Sequence, residues 1–131
     1  MVIDTSALLA IALGEPSRGR LLDALDRETS RLLSSISLLE AGMILRARSG
    51  ESAAGLLYQL AGELVSEVVP FDEAQARLAT AAFGRFGKGM GHQAQLNFAD
   101  CAVYALASSR GEPVLTTGTH FGATDLPCYP L

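Results

Sequence analysis

Asp4, Glu40 and Asp100 are the residues of this 131-residue chain whose surroundings ask for chemistry. Asp4 follows Met1-Val2-Ile3 and precedes Thr5. Glu40 lies among Leu38, Leu39 and Ala41, and Asp100 among Phe98, Ala99, Cys101 and Ala102. Residues three and four apart share a helix face. On a helix, Glu40 therefore joins a stripe with Ile36, Met43 and Ile44, and Asp100 one with Val103, Tyr104 and Ala107. Carboxylates so placed point at least partly toward a core. Buried without a partner, each is costly and tends to hold its proton. Brought together, three would repel one another unless a cation lay between them, and no lysine or arginine adjoins them in sequence. A divalent metal is the simplest solution. Mg²⁺ takes carboxylate oxygens and keeps waters, and Mn²⁺ uses similar ligands.

Each acid also has a plain reading. Asp4 can cap the first helix. Glu40 has capping-box spacing from Ser37, and Asp100 the same spacing from Asn97, where the helix dipole favours it. The two readings overlap, since helix N-termini can assemble a metal site.

The elements that must position these residues alternate between short apolar runs and helix-period segments. Val2–Asp4 reads as a strand, and Thr5 or Ser6 can cap a helix that Gly14 ends before Pro16. Ser17 can cap a second helix with Leu21, Leu22 and Leu25 inward. Arg31–Ser34 is a strand. Ser37 opens a third helix reaching about Arg48, and Glu51–Leu64 is a fourth. Val65–Pro70 is a strand, Asp72 and Gln75 form a cap-like pair, and Ala74–Phe86 is helical. Gly84 to Gly91 form a glycine-rich, basic loop. Asn97 caps a helix over Phe98–Arg110 that Gly111 stops. Pro113–Thr117 is a strand, and Leu126–Tyr129 reads as an edge strand, since its prolines exclude a central one. Strands alternating with helices predict an α/β fold: a mostly parallel central sheet covered on both faces. Ligands of such sheets bind beyond the carboxyl ends of the strands.

Composition narrows the function classes. The length suits one domain over residues 1–131, and 49% hydrophobic residues argue against disorder. A net charge of −4, with Lys88 the only lysine, excludes a broad basic platform for nucleic acid. Cys101 and Cys128 make no disulfide framework and read as reduced thiols of a cytoplasmic protein, Cys101 as core packing. No signal peptide is legible at the first residues, and the apolar run Ala7–Leu13 is too short to span a bilayer, so no membrane role is expected.

The motifs resemble a known family. Val2-Ile3-Asp4-Thr5-Ser6-Ala7-Leu8, Ser37-Leu38-Leu39-Glu40, Phe86-Gly87-Lys88-Gly89, Leu96-Asn97-Phe98-Ala99-Asp100-Cys101, Tyr104-Ala105-Leu106-Ala107 and the stretch from Gly118 to Asp125 are similar, in order and spacing, to PIN-domain proteins. The likeness is to the VapC-type toxins of bacterial toxin–antitoxin pairs in particular. That resemblance implies a three-layer α/β/α sandwich and a metal-dependent endoribonuclease. It also implies a homodimer, and inhibition by a small antitoxin that wraps the helices between Ser17 and Arg48. Asp4 and Asp100 would hold one or two Mg²⁺ or Mn²⁺ ions, with Glu40 direct or through water. Hydrolysis would use a metal-bound water on an RNA phosphodiester.

One departure stands out. Many members carry an aspartate in a Gly-x-Asp-Phe segment, and here it reads Gly118-Thr119-His120-Phe121. His120 could ligate a transition metal, bind phosphate when protonated, or be a simple loop residue. The departure motivates a second reading, a catalytically impaired PIN-like module that binds RNA or protein. A receiver-like phosphoacceptor domain also sets carboxylates at strand ends. It needs a lysine near the last strand, where Thr116 and Thr117 stand. Asp125 reads as structural. Arg85, Lys88 and His92 are candidate contacts to RNA phosphates, which position a substrate without reading it; a surface loop is the plain alternative. Thr5, Ser6 and Asn97 are candidates to orient the acids or simply to cap helices.

Overall fold

The computed structural model describes residues 1–131. Its elements are β1 (Val2–Ile3), α1 (Thr5–Ala12), α2 (Arg18–Asp26), β2 (Leu32–Ser34), α3 (Ser35–Ser49), α4 (Glu51–Leu64), β3 (Glu67–Val69), α5 (Glu73–Phe86), α6 (Phe98–Arg110) and β4 (Val114–Leu115). A 3₁₀ turn follows at Phe121–Ala123. The four strands are all parallel, in the order β3-β2-β1-β4. Register pairs Val2 with Leu32 and with Val114, and Ile3 with Leu33 and with Leu115.

That register builds two cores. Successive strand residues point to opposite faces. Val2, Leu32 and Val114 enter one cluster with Phe86 of α5, Val103 and Leu106 of α6, and Phe121. Ile3, Leu33 and Leu115 enter the other with Leu8 and Ile11 of α1, Leu21 of α2, Leu45 of α3 and Leu57 of α4. The result is the expected α/β/α sandwich, with α1–α4 on one side and α5–α6 on the other. Strands this apolar are what a sheet covered on both faces requires. No helix is long and apolar enough to cross a membrane.

Helix ends follow local chemistry. Asp4 caps α1, Asp72 caps α5, and Asn97 with Asp100 forms a complete capping box on α6. Gly111 ends α6 at φ +64°, a left-handed conformation that glycine adopts without penalty. Three expected caps are corrected. Thr5 and Ser6 lie inside the first turn of α1, because Asp4 takes the cap position. Ser17 has helical backbone angles and makes no side-chain cap bond. Helix α3 begins two residues before Ser37, because Ser34 accepts from the Ile36 N–H. Ser37 is therefore inside the helix with its hydroxyl buried and unpartnered, and it forms no box with Glu40.

The outer strands are shorter than predicted. β4 is Val114–Leu115 instead of Pro113–Thr117, and the C-terminal edge is one parallel bridge between Val114 and Cys128. Pro127 and Pro130 flank that bridge and have no N–H to extend it.

Candidate metal centre

The parallel sheet delivers the first acid. β1 ends at Ile3, so Asp4 stands at its carboxyl end and serves as the α1 cap. Only 6% of Asp4 is exposed. Its Oδ2 accepts from the Ser6 N–H at 3.2 Å, the Ser6 hydroxyl at 2.5 Å and the Thr116 hydroxyl at 3.1 Å. No side chain donates to Oδ1.

Asp100 comes from the first turn of α6. The Asn97 N–H donates to Asp100 Oδ2 at 2.9 Å, and the Asp100 N–H returns a bond of 2.9 Å to Asn97 Oδ1. His120, at the entry to the 3₁₀ turn, sets Nδ1 3.1 Å from the same Oδ2. Glu40 reaches the group from α3 and is partly exposed. Asp4, Glu40, Asp100, Thr5, Thr116 and His120 all line one cavity of about 330 Å³. It opens beyond the carboxyl ends of β1 and β4, where open α/β sheets bind ligands.

The electrostatics of this cavity are unrelieved. Burial pushes the Asp4 carboxyl up from its ordinary value; the Ser6 and Thr116 hydrogen bonds offset part of the rise, and the Asp100 charge adds to it. Glu40 is pushed up by burial and by the charges of Asp4 and Asp100. The nearby Thr5 hydroxyl offsets part of the rise, although its geometry does not complete a hydrogen bond. No lysine or arginine lines the cavity. The set of donors fits a hard divalent ion. Its oxygens are carboxylates, one oxygen of Asp4 is uncommitted, and Thr5 Oγ1 is buried without a partner, as a group facing a metal-bound water would be. In the arrangement described, no three His, Cys, Asp or Glu side chains converge at ligating distance.

The remaining candidates lie elsewhere. Arg85 pairs with Asp125 at 3.2 Å and sits 4.5 Å over the Phe86 ring. His92 Nδ1 accepts the Ala94 N–H at 3.0 Å, and its ring meets Phe86 edge-on. Lys88 is exposed and makes no ion pair. None of the three lines the acidic cavity. Cys101 is held as a thiol by burial and by the Asp100 charge, which suits packing over nucleophilic chemistry. Asp125 is structural, accepting the Tyr104 hydroxyl at 2.7 Å. Thr116 is the contributor that the sequence reading did not assign to the acids. Parallel pairing of Ile3 with Leu115 sets Asp4 beside Thr116 one residue on, and that register is the signal that would have found it.

The model of the PIN domain matches residues 1–126. This chain belongs to the PIN-domain family. Ribonuclease VapC28 of Mycobacterium tuberculosis is 44% identical over 124 residues, covering 95% of this chain and 93% of that relative. Among solved structures, Mycobacterium tuberculosis VapC20, a Sarcin-Ricin loop cleaving toxin, has a TM-score of 0.81 at 18% identity, covering 99% of this chain and 98% of that one. VapBC2 from Rickettsia felis, bound to a DNA fragment from their promoter, has a TM-score of 0.71 at 13% identity, covering 98% and 96%. At such identities these two structures speak for the fold, and the PIN-domain sandwich is the one built above from register and burial.

Proposed function

We propose that this chain is a metal-dependent endoribonuclease, one domain over residues 1–131, acting as the toxin of a toxin–antitoxin pair. The observation that carries the reading is the cavity at the ends of β1 and β4. There Asp4, Asp100 and Glu40 line one cavity with no lysine or arginine to balance them. The VapC ribonucleases at 44% identity support the substrate class.

Asp4 and Asp100 would hold Mg²⁺ or Mn²⁺, with Glu40 closing on the ion directly or through water. A bound divalent ion lowers the pKa of a coordinated water and stabilises charge on the scissile phosphate. The chain's own residues do the positioning. Ser6 and Thr116 fix one oxygen of Asp4 and leave the other without a donor. Asn97 fixes Asp100 through reciprocal backbone bonds. Thr5 offers its unpaired hydroxyl to a water in the site. Of the three basic candidates, Lys88 would meet RNA phosphates away from the reacting bond, while Arg85 and His92 are engaged within the chain.

Partners belong to the same proposal. Leu39 and Met43 on α3, with Leu56 and Tyr58 on α4, are 51–66% exposed. An apolar patch of this kind is what a covering antitoxin segment needs. A homodimer acting in the cytoplasm completes the reading.

The deciding experiment maps cleavage sites on total RNA with and without Mn²⁺, beside the Asp4→Asn protein. Cuts that require the metal and vanish in the variant support the reading. Equal cleavage in chelator, or by the variant, sinks it. One observation favours a second reading, an impaired RNA- or protein-binding module: His120 already occupies Asp100 Oδ2. Tight RNA binding with no turnover in any divalent metal would select that one.

A further inference from the structure

We infer that His120 is a nitrogen ligand of the metal centre and tunes it toward Mn²⁺ over Mg²⁺. This rests on the metal-dependent reading above and deepens it. His120 Nδ1 is 3.1 Å from Asp100 Oδ2, and the ring makes no other hydrogen bond. Two adjacent ligands of an octahedral ion, each bonded at about 2.1–2.2 Å, stand about 3.0–3.1 Å apart. The observed spacing therefore suits two donors on one ion as well as it suits a hydrogen bond.

The ring is held at that distance by its own anchors. Phe121, the next residue, is 1% exposed in the core. The Thr124 hydroxyl donates to the Phe121 carbonyl at 2.7 Å, closing the 3₁₀ turn. Asp125 then ties the segment to Tyr104, one helical turn beyond Asp100 on α6. The same helix thus fixes both the carboxylate and, through this tie, the turn that carries the imidazole.

Donor chemistry sets the preference. Carboxylate oxygens suit Mg²⁺ and Mn²⁺ alike, whereas imidazole nitrogen suits the transition ions. Mg²⁺ gives up its waters reluctantly. One neutral nitrogen among three carboxylates therefore favours Mn²⁺.

The chain has only two histidines, and His92 is bonded to the Ala94 N–H in its own loop. A nitrogen signal from a bound ion is consequently assignable. The test strips the full chain of metal and loads it with Mn²⁺ for pulsed electron paramagnetic resonance. Imidazole-nitrogen modulation is expected in the parent and absent in His120→Asp. In parallel, calorimetric titration with Mn²⁺ and with Mg²⁺ gives the affinity ratio, which His120→Asp should shift toward Mg²⁺ by about tenfold. Mn²⁺ bound without nitrogen modulation, or a ratio unmoved in the variant, overturns this inference and leaves the carboxylate site standing. No uptake of either ion by the parent overturns both.

Discussion

The Thr116 hydroxyl donates to Asp4 Oδ2 at 3.1 Å, joining the ends of β4 and β1 across 112 positions of sequence. Ser6 Oγ donates to the same oxygen. Each hydroxyl has one proton, so both are spent on Asp4 when it is ionised. Thr116→Val keeps the shape and the strand propensity but leaves Asp4 free to turn. We expect kcat on RNA to fall about 10–100-fold with KM little changed, and Thr116→Ser to restore most of it. Steady-state kinetics at saturating Mn²⁺ would read the split. Unchanged kcat in the valine variant would show that Ser6 alone sets the carboxylate.

The unbalanced acids should weaken the metal-free protein. Asp4 and Glu40 hold their protons more tightly folded than unfolded, where ordinary values are 3.8 and 4.5. The folded apoprotein therefore binds more protons. Their contribution to stability is full below those ordinary values and is lost as pH rises through the elevated ones. In chelator, Tm should drop on going from pH 4 toward pH 8 by more than the Asp4→Asn protein drops. Asparagine caps a helix as well as aspartate, so α1 keeps its start. At pH 7 the variant should melt higher in chelator, by about 2–5 °C, while being inactive. Added Mn²⁺ should raise the parent and not the variant. Thermal melts across pH, with and without metal, check all three. A variant less stable than the parent in chelator at pH 7 would contradict the account.

Much of this architecture is legible in the sequence. Alternating apolar runs and helix periods give an α/β sandwich because each strand buries both faces. Asp4 and Asp100 stood out because an acid in an apolar stripe needs a reason. Glu40 stands out in the same way, and only its alternative role, a capping box with Ser37, fails, on a local competition. Ser34 and Ser37 both have capping chemistry, and the sequence does not say which serine leaves strand β2. Once Ser34 caps α3, Ser37 turns inward and Glu40 is free for the cavity. Thr116 and the tie from Asp125 to Tyr104 were harder still. Both depend on which strands are neighbours, a long-range fact that local patterning does not carry.

The tie between Tyr104 and Asp125 predicts a structural effect that reaches the site. Tyr104 is 6% exposed and donates at 2.7 Å to Asp125 Oδ1, while Arg85 holds Oδ2 at 3.2 Å. Tyr104→Phe removes one charge-assisted bond and should cost about 1–2 kcal/mol. Asp125→Ala removes both bonds and leaves the Tyr104 hydroxyl unpaired, so it should cost more. Both should loosen the turn bearing His120, seen as faster amide exchange at Phe121–Thr124. Denaturant melts would rank the two, and equal stability of parent and Tyr104→Phe would remove the tie from the account.

Lys88 and Arg85 should separate cleanly, although both are basic and near the same loop. Lys88 is exposed and pairs with nothing in the chain, so its charge is available to a phosphate. Arg85 is spent on Asp125 and on the face of Phe86. Its ion pair is surface-exposed and worth little, and the ring contact adds about 0.5–1 kcal/mol. Phosphate contacts weaken steeply with salt because bound counterions are released. Lys88→Ala should therefore raise KM for RNA at low salt, with kcat and Tm unchanged, and the difference from the parent should shrink as salt rises. Arg85→Ala should instead lower Tm by a few degrees at any salt. Kinetics at two salt concentrations, paired with melts, test the contrast. A Lys88→Ala protein with the parent's KM at low salt would move the RNA path off this loop.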